Sequence, residues 1–171
     1  MLALIRVFWD IVLLRRGPRD LPASLSLLGL LALLDLGVSL VALYREGAAR
    51  ALTLGLVDVA FTFAVFYTLL TVRKVGHRVV QTLSALWGTG VVLAAVQIAL
   101  LTVASSLLDQ DTATAVASTL SNLFLLWGVL VIGHIVRRAL EVHLATGLTI
   151  ALTYVLVSIL IYHLWPAPVT A

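Results

Sequence analysis

The sequence predicts an all-α integral membrane protein, with five transmembrane helices that follow an N-terminal amphipathic helix at the membrane interface. Of the 171 residues, 62% are hydrophobic and only 11% are charged, whereas an average soluble domain has about 25% charged residues. The mean hydropathy is +1.15, and a single soluble core of this size could not bury so much apolar surface. A soluble helical bundle is therefore disfavoured.

Five apolar runs are long enough to cross a membrane, since about 20 helical residues span the hydrocarbon. Each run should be helical, because a backbone in lipid must satisfy its own hydrogen bonds. The loops between them are short, so consecutive helices are expected to be antiparallel neighbours. The predicted bundle covers residues 24–165, its spans are residues 24–44, 51–72, 79–107, 114–136 and 146–165, and residues 166–171 form a short external tail.

Residues 1–18 form a separate segment that is apolar on most of its surface and too short to span a membrane comfortably. Pro18 ends the segment because proline breaks a helix. We predict an amphipathic helix that lies in the interface, with Trp9, Arg15 and Arg16 at the level of the lipid headgroups. The alternative is a hydrophobic helix that packs against the bundle.

Lysine and arginine are distributed unequally between the two sides of the predicted bundle. Nine lie before the first span and in the second and fourth loops, and two lie in the first loop. The positive-inside rule then puts the N-terminus in the cytoplasm and the C-terminus outside. The residues expected at the membrane interface or the headgroups are Trp9, Arg15, Arg16, Arg73, Lys74, Arg78, Arg137 and Arg138.

The charge of the chain also bears on its partners and its source. The net charge is only +3, and the basic residues lie at the ends of the spans rather than on one face, so nucleic acid is not an expected partner. Membrane lipids are expected partners. Ten arginines against one lysine are compatible with a gene of high GC content, and we expect a multi-pass protein of the bacterial inner membrane.

Two aspartates, Asp35 and Asp58, interrupt apolar runs. An ionisable group in hydrocarbon is costly unless it is neutral, paired or in a wet cavity. At 1.5 Å per helical residue, every span has a polar side chain about 10 to 16 Å below its predicted outer end. The predicted intramembrane polar site contains Asp35, Asp58, Gln97, Asn122, Tyr154 and Ser158, all expected to face the bundle interior. This layer either fixes helix packing or lines a small cavity for a proton, a cation or a headgroup.

Motifs of catalysis and of metal binding are missing from the sequence. The chain has no cysteine, no phosphate loop and no nucleophile elbow, so we expect neither an enzyme nor a cofactor. His134 and His143 lack the spacing of a metal site, and His134 is expected at a solvated helix end. Arg137 and Glu141 have the four-residue spacing of an ion pair within a helix.

Residues 86–88 (LWG) and residues 133–139 (GHIVRRA), with five closely spaced spans and very short loops, resemble the small bacterial members of the Yip family. The chain departs from the eukaryotic members because it lacks their long cytoplasmic N-terminal region. The resemblance implies a five-span bundle with a non-enzymatic role, and it leaves small-GTPase partners in doubt.

Three functions follow as hypotheses. The first is a non-enzymatic membrane-organising or accessory protein of Yip-like type, which assembles with itself or with a partner membrane protein. The second is a small proton- or cation-coupled transporter or channel that uses Asp35 and Asp58. The third is a lipid-binding or lipid-handling protein.

Overall fold

The computed structural model describes residues 2–44 and 47–165. Those residues form helices joined by short turns and no strand, so the all-α prediction is confirmed. Arg45, which entered the charge count, and the predicted tail 166–171 lie outside the described residues. The helices are α1 (Leu2–Val12), α2 (Leu25–Ala42), α3 (Ala48–Val72), α4 (Val79–Leu107), α5 (Gln110–Leu140) and α6 (Leu144–Leu164), with 3₁₀ turns at Pro18–Asp20 and Gly76–Arg78.

Five helices in the described part of the chain, α2 to α6, are long and apolar enough to cross a membrane. Their bounds lie within four residues of the predicted spans. The 31 residues of α5 make a helix about 46 Å long, so it exceeds the roughly 30 Å of hydrocarbon. Orientation in the membrane stays a prediction.

Capping residues explain where α5 begins and ends. At its N-terminus the Asp109 carboxylate accepts a hydrogen bond from the Thr112 backbone N–H at 2.9 Å, and this bond lowers the pKa of the Asp109 carboxyl. At its C-terminus Glu141 adopts a left-handed conformation with φ of 56°. Because Glu141 has left the helix, the predicted ion pair with Arg137 is wrong.

Helix α4 is central, since α1, α2, α3 and α5 all pack against it. Its first half is buried, including every residue from Thr82 to Thr89. We name the end of the bundle that holds Arg73, Arg78, Arg137 and Arg138 the arginine-rich end, and the other the opposite end. The helices pack closely in the arginine-rich half.

The opposite half is more open. Most residues of α4 beyond Gln97 and of α5 before Leu123 are exposed. A groove of about 850 Å³ separates the ends of α2, α4 and α5 there. The bundle is therefore closed at one end and splayed at the other.

Helix α1 packs on α4 and α5. Phe8 and Ile11 are buried, and the Trp127 indole N–H donates to the Val12 carbonyl at 3.1 Å. These contacts fit the alternative of a helix packed against the bundle. The other face, with Trp9 45% exposed, is free to meet the membrane, so the interfacial position stays a prediction.

The chain that follows α1 is tied to the bundle by polar contacts. The His134 ring nitrogen Nε2 lies 2.9 Å from the Arg16 carbonyl, and the Gln81 amide donates to the Leu21 carbonyl at 2.7 Å. His134 is only 6% exposed, so the prediction of a solvated helix end is wrong. The reason is that the N-terminal segment covers it.

Glu141 completes this attachment. Its carboxylate accepts hydrogen bonds from Arg19 and from Arg78, the latter at 3.1 Å. Arg78 also donates to the Ala139 carbonyl at 2.8 Å. The two guanidinium groups lower the pKa of the Glu141 carboxyl.

The variant Gly88→Ala should detach α1. A Cβ atom at position 88 would lie 2.2 Å from the Phe8 ring, and such overpacking costs about 1 to 3 kcal/mol. Trypsin should then cleave after Arg15 and Arg16 faster than in the wild-type protein. Gly128→Ala is the matched control, because its Cβ would meet nothing within 4 Å. Added Phe8→Ala should relieve the clash; unchanged cleavage in Gly88→Ala would contradict the packing.

The Glu141 contacts should depend on pH. The pKa of Glu141 is lowered in the folded protein. The contribution of Glu141 to the free energy of unfolding is therefore fully present above the ordinary pKa of 4.5, and it is lost as the pH falls below that value. Wild type should therefore melt at a higher temperature than Glu141→Gln at neutral pH, and the difference should shrink in acid. Asp111→Asn, at the opposite end, is the control. A difference in melting temperature that stays constant in acid would contradict the ion pairs of Glu141 with Arg19 and Arg78.

Candidate functional site

The aspartates lie on neighbouring helices, Asp35 on α2 and Asp58 on α3. Their carboxyl groups are near enough to interact electrostatically, and both side chains are largely shielded from the outside of the bundle. Neither has an ion pair or a hydrogen bond with any residue that the structure describes. The two acids are therefore neighbours in the bundle, and their role as one site stays a prediction.

A close contact between α2 and α3 brings the two carboxyl groups together. A Cβ atom on Gly55 would lie 2.7 Å from the Leu36 side chain and 3.2 Å from the Ser39 Cβ, so only glycine fits without a shift. Asp58 lies three residues after Gly55, and Asp35 lies four residues before Ser39. This spacing puts each acid on the helix face that makes the contact.

Helix α4 closes one side of the pair. A Cβ atom on Gly90 would lie 3.4 Å from the Asp35 carboxylate oxygen Oδ1, so a larger residue would reach toward that oxygen. Glycine at this position leaves the α4 backbone and the Asp35 carboxylate in direct proximity.

A cavity of about 160 Å³ adjoins Asp58. Its polar lining comes from Ser39, Asp58, Ser158 and Tyr162. Leu43, which caps the end of α2, also lines it, so the cavity extends from the aspartate toward the opposite end. A cavity of this size has room for several water molecules, and these four side chains offer them polar partners.

Tyr154 attaches α6 to α3 beside the aspartates. Its hydroxyl shares a hydrogen bond of 2.7 Å with Thr62, and its ring stacks on Phe61 with 5.6 Å between centroids. Ser158, one turn further along α6, has a buried hydroxyl near that of Tyr154. Tyr154 is therefore structural in this arrangement, and Ser158 lines the cavity.

The prediction omitted three residues that belong to this site, Ser39, Thr62 and Tyr162. Each lies four residues after a predicted site residue, namely Asp35, Asp58 and Ser158. Residues four apart share a helix face, so the spacing that puts Asp35, Asp58 and Ser158 on inward faces puts these three residues there too.

Gln97 lies beside the aspartate site rather than in it. Its amide donates to the Ser121 hydroxyl at 3.2 Å, which joins α4 to α5. Both residues line a separate cavity of about 330 Å³, and Gly90, the neighbour of Asp35, lines it too. Gln97 therefore contributes to helix contact at the same level of the bundle.

Asn122 is not part of the site, and the prediction that it faces the interior is wrong. Its side chain is exposed, and it makes no hydrogen bond with a described residue. The half-buried face of α5 instead follows Ala113, Ala117, Leu120 and Phe124. The helix is rich in small and apolar residues on every side, so their spacing did not distinguish this face from the one with Asn122.

The predicted headgroup residues all lie toward the arginine-rich end of the bundle. Arg16 pairs with Asp10 at 3.2 Å, and Arg78 is engaged with Glu141. Contact with lipid stays a prediction for the whole set, which is Trp9, Arg15, Arg16, Arg73, Lys74, Arg78, Arg137 and Arg138.

The chemistry of the aspartate site is that of oxygen ligands without a counter-charge. The Asp58 carboxyl group and the hydroxyls of Ser39 and Ser158 line one cavity, with Asp35 beside Asp58, and oxygen donors suit hard cations or protons. The described residues contain no group of three or more His, Cys, Asp and Glu side chains that could hold a metal ion.

Comparison with known proteins identifies no relative of this chain. The chain matches no family model, no curated protein and no solved structure. The resemblance to the Yip family therefore stays a prediction, and the function has to be argued from the geometry of the site.

Proposed function

We propose that this protein binds a proton or a small monovalent cation at Asp35 and Asp58 and moves it across the membrane, as a small proton- or cation-coupled transporter or channel. The observation that supports this function best is the cavity of about 160 Å³ that adjoins Asp58. A space of this kind gives a carboxyl group in the span a polar neighbour and a route toward the opposite end.

Electrostatics favour an occupant that brings positive charge. Two carboxylates at close range repel each other, and in a medium of low dielectric constant the repulsion is strong. The described residues supply no ion pair to either acid. A bound proton or monovalent cation would halve the negative charge of the pair and remove most of the repulsion. The oxygens of the Ser39 and Ser158 hydroxyls, which line the cavity, would supply further ligands to a cation.

The alternative of simple packing glue has less support. A polar side chain that holds helices together does so by hydrogen bonds across the interface. Thr62 and Tyr154 make such a bond, whereas neither aspartate has one with a described residue. The hydrogen bond between Thr62 and Tyr154 therefore holds the helices together, and the two aspartates add little to that attachment.

A lipid-handling function with a headgroup in this cavity is also less well supported. Typical ligand pockets have volumes of about 300 to 1,000 Å³. The cavity at Asp58 is smaller, at about 160 Å³, and suits an ion better.

Flux into liposomes tests the proposal. With a pH-sensitive dye or a sodium dye inside and a potassium gradient as the driving force, the wild-type protein should pass protons or sodium ions. Asp35→Asn and Asp58→Asn should each abolish the flux, because each removes a carboxyl group from the pair. Labelling with a hydrophobic carbodiimide, which modifies protonated carboxyl groups, should mark one aspartate and be lost in its Asn variant.

The matched control for these variants is Asp111→Asn, which removes an exposed carboxylate at the opposite end of the bundle. It should leave flux and labelling unchanged. If both span variants fold and transport normally, or if the wild-type protein passes neither ion, the proposed function is wrong.

A second candidate function has its own support: a membrane-organising protein that assembles with itself. Asn122 is exposed within a helix apolar enough to span, and an amide facing hydrocarbon is unfavourable unless it is paired. An amide carries both donors and an acceptor, so two copies of Asn122 can bond to each other across a two-fold axis.

Asn122→Leu should weaken such an assembly. Interhelical hydrogen bonds in membranes contribute about 0.6 to 2 kcal/mol, which corresponds to roughly 3- to 30-fold in the dissociation constant. Energy transfer between labelled copies, diluted stepwise in liposomes, measures this change. Thr119→Val is the control, because the Thr119 hydroxyl already bonds to the Ala115 carbonyl of its own helix. Equal assembly in Asn122→Leu and wild type would contradict this function.

A further inference from the structure

A second polar cavity lies at the arginine-rich end, far along the chain from the aspartates. It has a volume of about 500 Å³ and lies between the 3₁₀ turn that follows α1 and the C-terminus of α5. Its charged lining consists of the arginines Arg19, Arg137 and Arg138 and the carboxylates Asp20 and Glu141.

Both carboxylates of this cavity are already engaged. Asp20 accepts a hydrogen bond from the Gly17 backbone N–H at 2.9 Å. Glu141 accepts from Arg19 and from Arg78. Because Arg78 joins the cluster through Glu141, four arginines face two carboxylates, and the surroundings of the cavity keep an excess of positive charge.

Two of the arginines have no such partner. Neither Arg137 nor Arg138 makes an ion pair or a hydrogen bond with a residue that the structure describes. Their side-chain stems are nevertheless held in place. A Cβ atom on Gly17 would lie 3.3 Å from the Arg138 Cβ, and one on Gly147 would lie 2.9 Å from the Arg137 Cβ.

We propose that this cavity binds a phosphate group, carried either by an anionic lipid headgroup or by a soluble phosphate compound. Guanidinium groups recognise phosphate through paired charge-assisted hydrogen bonds. Basic pockets at the end of a transmembrane bundle attract anionic headgroups, and the hydrocarbon begins within the adjoining helices. The ligand would contact α5 and the N-terminal segment together, so it would strengthen their attachment. This inference does not depend on the aspartate site.

Native mass spectrometry of the full chain in a neutral detergent tests the proposal. With phosphatidylglycerol added, the wild-type protein should retain one lipid more tightly than it retains phosphatidylcholine. The double variant Arg137→Gln/Arg138→Gln should bind phosphatidylglycerol roughly ten- to thirtyfold more weakly, from the attraction that two basic side chains exert on an anionic lipid.

The matched control is Arg6→Gln, which removes an exposed positive charge outside the cavity and outside the predicted headgroup set. It should bind phosphatidylglycerol as the wild type does. An equal loss in this control would overturn the proposal, because binding would then reflect diffuse surface charge. Unchanged binding in the double variant of Arg137 and Arg138 would overturn it too.

A thermal-shift arm with inorganic phosphate distinguishes the two sources of the phosphate group. A rise in melting temperature with phosphate that needs Arg137 and Arg138, without retention of phosphatidylglycerol, supports a soluble ligand. Retention of the lipid without a response to phosphate supports a headgroup. No response to either probe in the wild-type protein overturns the site.

Two further variants keep the test valid if the double Gln variant fails to fold. Arg137→Lys/Arg138→Lys keeps the charge but loses the planar fork of the guanidinium group, so binding should weaken while the fold is kept. Glu141→Gln removes a competing carboxylate and should strengthen binding. If neither variant changes the retention of phosphatidylglycerol or the response to phosphate, the proposal is wrong.

Discussion

Close packing around the first half of α4 is the constraint on which the rest of the structure depends. In lipid, helices are not driven together by the hydrophobic effect, so they need tight van der Waals contact. Thr82 to Thr89 provide it, being buried on every side by α1, α2, α3 and α5. The Phe8 ring packs directly against Gly88, where a Cβ atom would clash with it. A Cβ atom on Gly147 would lie 2.5 Å from the Gly133 carbonyl oxygen, so α6 and α5 are also in close contact.

The splayed half of the bundle follows from the same constraint. Beyond Gln97 the side chains of α4 and α5 no longer meet a full set of neighbours. The aspartates lie where close packing gives way to this open half, and the cavity at Asp58 extends toward it. The Asp58 carboxyl group therefore borders a cavity whose polar lining also includes Ser39, Ser158 and Tyr162.

The two ends of the bundle therefore offer opposite chemistry. Near the open half, Asp35 and Asp58 are two acids without a basic partner among the described residues. At the arginine-rich end, Arg137 and Arg138 are bases without an acidic one. The N-terminal segment is part of the second arrangement, because Gly17 and the turn after it form one wall of the cavity. An unpaired charge in a packed protein costs free energy, and each ligand proposed above would bring charge of the opposite sign.

The sequence by itself determined the five long apolar helices, because a run of about 20 apolar residues has few alternatives to a helix that can span a membrane. It also predicted that Asp35 and Asp58 share a level and face inward, since a lone acid in an apolar run must avoid lipid. The tertiary structure decided which face of α5 packs, where small and apolar residues occur all round and Asn122 was misplaced. It likewise decided that α1 packs on α4, that His134 is covered, and that Glu141 pairs with Arg19 and Arg78. These features depend on contacts between residues far apart in the chain, which local periodicity does not encode.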